Sequence, residues 1–243
     1  MMKKMLIIKT GSTFPSLRAR RGDFEQWILS GMHMPEQPAV VVDVQREEPL
    51  PKPEEVDAVV ITGSHAMVTD HHAWNESTAA WLQGAFAKKL PILGICYGHQ
   101  LLAYALGGRV GDNPNGREAG TVDVYRTEAS AGDRLLGTFD GTLKAQVSHS
   151  QTVLTLPSGA TRLAYSALDA NQAFVFGGRV WGLQFHPEFD ADIMRAYVQY
   201  SRDKLVMEKG DPDTIMMRCT ETPESSSILK RFADLLDEWE EIP

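Results

Sequence analysis

Apolar and polar positions along the chain change their period near residue 110. Up to that point, short runs of aliphatic residues alternate with longer stretches in which apolar residues recur at helical spacing. The short runs predict strands at Met5–Lys9, Ala39–Val44, Asp57–Thr62 and Leu90–Ile95. Between the first two strands, residues 17–32 carry Phe24, Trp27, Ile28 and Gly31 near helical spacing. Between the last two, residues 74–89 place Trp74, Thr78, Trp81, Leu82 and Ala85 on one helical face. Strand–helix–strand alternation implies right-handed crossovers and a mostly parallel sheet with helices on both faces. The predicted fold is therefore α/β, doubly wound and flavodoxin-like.

From about residue 119 the pattern becomes one of short strands joined by turns. AGTVDVYR, LKAQVSHS, TRLAYS and QAFVFGGRVWGLQF read as antiparallel strands, with FGGR as a hairpin turn. They predict an added antiparallel β portion that extends or flanks the first sheet. A helix over Ala191–Val206 follows, capped by Asp190 or Asp192. Residues 208–227 are polar and read as irregular. The last helix aligns Ile228, Leu229, Phe232, Leu235, Leu236 and Trp239 in one apolar stripe that docks on its own core. The chain thus divides into a domain over residues 1–206 and a segment over 207–243 that packs on the same domain. No internal repeat interrupts this order.

Composition narrows the functional classes. A hydrophobic fraction of 43% and a charged fraction of 23% belong to an ordinary globular chain of 243 residues. The net charge of −8 argues against nucleic-acid binding, and Arg18, Arg20 and Arg21 read as a solvated helix face. Two cysteines, Cys96 and Cys219, give neither a disulfide framework nor an all-cysteine zinc site, which points to a reducing cytoplasm. The apolar run after the first lysines spans about four residues, whereas a signal peptide needs roughly 7–15. No run approaches the roughly 18 apolar residues of a membrane span, so no membrane partner is expected.

Candidate chemistry concentrates in two short stretches. GICYGHQ places Cys96 between Gly94 and Gly98, directly after a strand and before a helix from about His99 to Leu106 that Gly107 and Gly108 close. A Gly-X-Cys-X-Gly turn lifts the central side chain clear of the sheet and sets it at a helix N-terminus, where partial charge favours thiolate. Local sequence alone leaves Cys96 open between a nucleophile and a small buried residue. GLQFHPEFD then supplies His186 and Glu188 at the end of a strand, where period-two geometry puts both side chains on one side. A carboxylate beside an imidazole fixes its tautomer and supports its charged form. A metal site built on this pair with His149 or with His71 and His72 lacks a clear third ligand, so no metal is expected. His99 reads as structural. His149 rivals His186 as a base but has no carboxylate two residues away.

Together, GICYGHQ and QFHPE, in that order, resemble the class I (triad) glutamine amidotransferases, and most closely the amidotransferase domain of GMP synthase. Further similarity runs through VVITGSHAMV and VSHSQTVLTLPSGATRLAYS, and it covers roughly residues 5–190. The resemblance implies Cys96 as nucleophile, His186 as general acid and base, and Glu188 as its orienting carboxylate. It implies an oxyanion hole from the backbone N–H groups of Tyr97 and of Gly63 or Ser64. It also implies a substrate pocket lined by Gln100 and by Ser148, His149, Ser150 and Gln151. Two stretches depart from the family pattern: Gly63-Ser64-His65 stands where Gly-Gly-Pro is common, and Ser148-His149-Ser150-Gln151 where Ser-His-Gly-Asp is. His65, His71, His72 and Trp74 read either as a lid over the site or as an exposed polar loop, and the loop is the reading favoured here. No cofactor is implied.

The sequence contains no Walker-type loop and no Rossmann fingerprint. Three functions follow from the resemblance. A glutaminase would pass ammonia to a separate synthetase partner. A stand-alone hydrolase would cut γ-glutamyl peptides or amines with the same thioester chemistry. A binding protein that merely kept the fold is disfavoured by the intact Cys–His–Glu set.

Overall fold

The computed structural model describes residues 4–34, 39–139 and 141–238. Its first half contains β1 (Met5–Lys9), α1 (Pro15–Arg21), α2 (Phe24–Gly31), β2 (Ala39–Asp43), β3 (Ala58–Ile61), α3 (Ala73–Ala87), β4 (Ile92–Ile95) and α4 (Tyr97–Ala105). Next come β5 (Arg109–Asp112), β6 (Glu118–Arg126), β7 (Thr142–His149), β8 (Gln151–Thr155), β9 (Ala160–Tyr165), β10 (Ala173–Phe176) and β11 (Val180–Leu183). Four helices follow: α5 (Ala191–Tyr200), α6 (Arg202–Met207), α7 (Pro212–Arg218) and α8 (Pro223–Glu238).

The main sheet has the strand order β2-β1-β3-β4-β11-β10-β9-β6-β7. Strands β2, β1, β3, β4 and β11 run parallel. The remaining strands continue the same sheet in antiparallel fashion, so the β-rich second half extends the first sheet. A small antiparallel sheet of β5 and β8 stands apart from it, and the sequence pattern had not set it apart.

Strand residues alternate between two cores. Met5, Ile7, Val60 and Leu93 join Ile28 of α2 and the stripe Ile228, Leu229, Phe232, Leu235 and Leu236 of α8 on one face. Leu6, Ile8, Val59 and Ile61 join Leu82 of α3 and Leu101 and Leu102 of α4 on the other. Burial on both faces is the physical reason these strands read as unbroken apolar runs. Trp239 of the predicted stripe lies outside the described residues.

Two helical stretches and one irregular segment are corrected. The helix anticipated over residues 17–32 is broken at Gly22, whose φ of 82° leaves the helical region, and Asp23 restarts it with a capping box to Gln26. The helix anticipated to Val206 is broken at Ser201, which ends α5 and precedes α6. Residues 208–227, expected to be irregular, contain α7, started by Pro212 with Asp211 accepting from the Thr214 N–H, and the first turn of α8. Caps and proline at the first helical position carry that signal. Two smaller features match the reading: Asp190 caps α5, and the chain reverses after β10 through Gly177 and Gly178, both at positive φ.

The turn into α4 is closely packed, backbone against backbone. A Cβ on Gly94 would lie 2.5 Å from the Gly98 carbonyl oxygen, and a Cβ on Gly98 would lie 2.5 Å from the Ile61 carbonyl oxygen. Backbone, not a yielding side chain, occupies both spaces. Gly98→Ala is expected to destabilise the protein by about 1–3 kcal/mol, as overpacking of a rigid core does; urea denaturation measures it, and an unchanged midpoint would contradict the packing.

Candidate active site

Cys96 sits between β4 and α4 with φ 52° and ψ −100°, a conformation that non-glycine residues rarely adopt and that costs on the order of 1–3 kcal/mol. The first helical residue is Tyr97, two residues earlier than the sequence suggests. Its backbone N–H is one of the N-terminal donors that a helix cannot satisfy internally. The Tyr97 ring is buried, leans on Trp74 at 5.5 Å and donates its hydroxyl to Asn75. The Cys96 N–H donates to the Leu183 carbonyl of β11 at 2.8 Å, which fixes the elbow against the neighbouring strand.

Two residues beyond Gln184 and the end of β11, His186 and Glu188 lie in a turn rather than on a strand. Period-two geometry is therefore not what brings them together; the turn is, with the Phe189 N–H donating to the His186 carbonyl. His186 Nδ1 lies 2.7 Å from Glu188 Oε1, and both side chains are almost wholly buried. The imidazole stacks on Phe189 at 4.0 Å and faces Phe24 at 6.4 Å. Its backbone N–H is held by the Gln146 carbonyl of β7 at 2.8 Å.

Burial opposes charge on this ring, but the Glu188 carboxylate and the Cys96 sulfur outweigh it and raise the His186 pKa to about 10. The Cys96 sulfur is within hydrogen-bonding reach of the ring. The arrangement holds a protonated imidazole between a sulfur and a carboxylate at neutral pH.

The peptide at the end of β3 is equally constrained. The Gly63 carbonyl accepts from Thr10 Oγ1 at 3.2 Å and Thr62 Oγ1 at 3.1 Å. In a trans peptide the N–H of Ser64 then points the opposite way. A Cβ on Gly63 would lie 3.2 Å from His186 Cε1, so a side chain there would press on the ring.

These groups surround a cavity of about 100 Å³ lined by Cys96, Tyr97, Ser64 and His186 at one end. Gln100, Ser148, His149, Ser150 and Gln151, all anticipated in the sequence, line its wall. Gln100 Nε2 donates to the Gln151 carbonyl and to Gln184 Oε1, each at 2.9 Å. The Gln151 side chain donates to Thr69 Oγ1 and Asp112 Oδ1, which leaves its Oε1 without a partner. His149 does have carboxylate neighbours, from distant elements: Nε2 lies 3.1 Å from Glu118 Oε2 and Nδ1 lies 3.8 Å from Asp169. Its Nδ1 also faces the Gln151 carbonyl at 3.0 Å. Both ring nitrogens are thus engaged, which suits a wall and not a proton shuttle. His99 is fully buried against Phe174 at 5.1 Å, and burial pushes its pKa down.

His65 is exposed and lies in the loop, as expected, and its ring also lines the cavity. It stacks on Tyr197 at 5.8 Å, and desolvation where the ring enters the cavity wall, followed by the charges of His186 and Lys204, lowers its pKa. His71 and His72 are exposed as expected. Arg117, Tyr197, Tyr200, Ser201 and Lys204 also line the cavity and were not singled out in the sequence as site residues. They come from the start of β6 and from α5 and α6, and no local motif marks them. Among the described residues no group of three or more His, Cys, Asp or Glu side chains is placed to hold a metal, and no helix is long and apolar enough to cross a membrane.

The family model described as glutamine amidotransferase class-I matches residues 24–200. A GMP synthase (glutamine-hydrolyzing) of Burkholderia vietnamiensis is 33% identical over 226 residues, covering 89% of this chain and 38% of the relative. The chain therefore spans well under half of that protein. Gamma-glutamyl peptidase 5 of Arabidopsis thaliana is 28% identical over 171 residues, covering 65% of this chain and 68% of the relative. The crystal structure of a glutamine amidotransferase from Thermotoga maritima superposes with a TM-score of 0.75 at 25% identity, covering 98% of this chain and 99% of that one.

The raised pKa of His186 has a measurable sign. An unfolded histidine titrates near about 6.5, so the stabilisation from the charged ring is complete below that pH and is lost as pH rises toward 10. The unfolding free-energy gap between wild type and Glu188→Gln should narrow between pH 6.5 and pH 10, and nitrogen NMR should find His186 still protonated at pH 8. A neutral ring at pH 8 would show that Glu188 and Cys96 do not outweigh burial.

Proposed function

The chain belongs to the class I glutamine amidotransferase family, and on that premise we propose that it hydrolyses the γ-amide of a glutamyl group through a thioester on Cys96. The observation that carries this reading is the His186 ring held between Glu188 at 2.7 Å and the Cys96 sulfur on a strained turn. Thiolate is the nucleophilic form of cysteine, and a protonated imidazole beside it both stabilises that form and stores the proton the leaving group needs.

Cys96 Sγ attacks the γ-carbonyl carbon, and the carbonyl oxygen becomes an oxyanion. The backbone N–H groups of Tyr97 and Ser64 hold it; each such donor is typically worth about 3–4 kcal/mol at the transition state. Ser64 is preferred to Gly63 as the second donor because Thr10 and Thr62 fix the orientation of the intervening peptide. His186 gives its proton to the departing nitrogen, the C–N bond breaks, and a γ-glutamyl thioester remains. Water then loses a proton to His186 and attacks the thioester, releasing glutamate and restoring the Cys96 thiolate and the protonated ring. Glu188 keeps Nδ1–H directed at itself and so leaves Nε2 for both transfers.

With glutamine the departing nitrogen is ammonia, which a synthetase partner consumes. The likeness to a gamma-glutamyl peptidase supports a second reading in which the leaving group is a peptide or amine. Both share every step up to the thioester.

Purified protein supplied with L-glutamine or with γ-glutamyl peptides separates the two. Ammonia and glutamate from glutamine support the first reading; glutamate from peptides alone supports the second and removes the first. Cys96→Ala should abolish turnover of either while leaving unfolding stability within about 1–2 kcal/mol of wild type. Activity that survives this substitution would eliminate the thioester route. Glu188→Gln should lower kcat by about two to four orders of magnitude, and full activity would assign orientation of the ring to another group.

A further inference from the structure

The cavity above Cys96 has a charge imbalance that the hydrolytic steps leave unused. Its lining includes Arg117 and Lys204 as well as His186, and no aspartate or glutamate, although the whole chain carries a net charge of −8. Glu188 matches the charge of His186. Arg117 spends Nε and Nη2 on Glu208 at 3.0 and 3.3 Å, which leaves Nη1 outside that pair. Its side chain is 17% exposed against 46% for Glu208, so the guanidinium is the buried partner and is fixed in place. Lys204, at the mouth, has no ion-pair partner among the described residues.

Beyond Arg117 the surroundings change sign. A groove of about 780 Å³ shares Arg117 and Ser150 with the cavity and is lined by Asp112, Glu118, Asp123 and Glu208. Carboxylates repel an anion, so the favourable ground for one lies on the Cys96 side, between Arg117 and Lys204. A γ-glutamyl group carries such an anion. Its α-carboxylate is separated from the carbonyl under attack by three saturated carbons, and one small cavity takes in both ends. Guanidinium and ammonium groups in a partly dry site bind carboxylate by charge-assisted hydrogen bonds.

We propose that Arg117 and Lys204 form the carboxylate-binding end of the cavity and hold the α-carboxylate of the γ-glutamyl group while Cys96 meets its γ-carbonyl. The proposal rests on the γ-glutamyl reading of the site above. Glu208 is a positioning residue that acts on the ligand only through Arg117. Lys204 and Glu208 both lie beyond residue 200, where the family match ends, so α6 and its end supply specificity that the shared motifs do not contain. Glutamine and γ-glutamyl peptides both keep a free α-carboxylate and are accepted alike, whereas γ-amides without it are rejected.

Calorimetric binding to the Cys96→Ala protein tests this without turnover. The ligands are L-glutamine and γ-glutamylglycine, each paired with the form whose glutamyl α-carboxylate is converted to an amide. The parent carboxylates should bind about 10- to 100-fold more tightly than the amides, as a charged hydrogen bond predicts. Lys204→Met and Arg117→Met should each weaken the carboxylate ligands about tenfold and leave the amides unchanged. Lys204→Arg should keep the discrimination, and Glu208→Gln should narrow it without altering amide binding. Equal binding of carboxylate and amide, equal losses for both in the variants, or no binding of either parent ligand overturns the proposal. Turnover by wild type is read separately. Discrimination without hydrolysis overturns the hydrolytic reading alone, and hydrolysis without discrimination overturns the carboxylate site alone.

Discussion

The close approach of α4 to the parallel sheet governs the whole site. Gly98 lies against the Ile61 backbone and Gly94 lies against Gly98, so the helix starts almost on top of the strand ends. Cys96, at the apex, is forced to φ 52°. The unfavourable backbone angle persists because Leu101 and Leu102 are fully buried on the same helix and because the Cys96 N–H is bonded to Leu183. That bond has a second effect. Leu183 pairs with Ile95 at the ends of β11 and β4, and the chain leaving β11 reaches His186 within three residues. One parallel strand pair therefore sets the sulfur and the imidazole in register, although they are distant in sequence.

The antiparallel extension has a different task, which is to hold the wall opposite the elbow. Glu118 and His149 pair across β6 and β7, and Glu118 also accepts from Ser166 at 2.7 Å and Gln172 at 2.6 Å. A buried carboxylate of this kind is tolerable only when its oxygens are satisfied, and here four side chains from several strands close the network. The same extension supplies the Gln146 carbonyl that anchors the backbone of His186. Aromatic rings on His186 exclude water, so the Glu188 charge acts on it at short range and low dielectric. This is why a fully buried imidazole keeps its proton instead of losing it, while His99, equally buried but without a comparable partner, is driven the other way.

What the sequence makes legible follows from how local each signal is. The strands β1, β3 and β4 show as apolar runs because both their faces are covered, and the elbow shows because its two glycines flank the cysteine directly. His186 and Glu188 are readable as a pair, but the reason given by strand periodicity is wrong: a turn beyond β11 joins them. Helix breaks at Gly22 and Ser201 and the short α7 are missed because apolar spacing continues across the breaks, and only caps such as Asp23 and Asp211 mark the restarts. His65 is part of the exposed polar loop it looks like, and its ring contact with Tyr197 of α5 is what the loop pattern does not show. Arg117 and Lys204 carry no local signature at all, since their meaning arises from folding two distant segments onto one cavity.

That division separates the chemistry of the site from its selectivity. In the proposed mechanism the elbow, its oxyanion donors and the His186–Glu188 pair act on the γ-carbonyl, which every γ-glutamyl amide shares. The outer wall, built from Tyr200, Ser201 and Lys204 and from Arg117 held by Glu208, would in that mechanism meet the rest of the ligand. The relative named as a GMP synthase is alike to this chain over 89% of its length, and so across the elbow and the histidine. Similarity there speaks for bond cleavage and is silent on the leaving group. Changes in the elbow strike a transition-state interaction and are read in kcat, whereas changes in the outer wall remove binding common to ground and transition states and are read in KM. In the proposed reading Arg117 and Lys204 therefore select for the free α-carboxylate that glutamine and γ-glutamyl peptides share, and the choice of leaving group is not theirs to make.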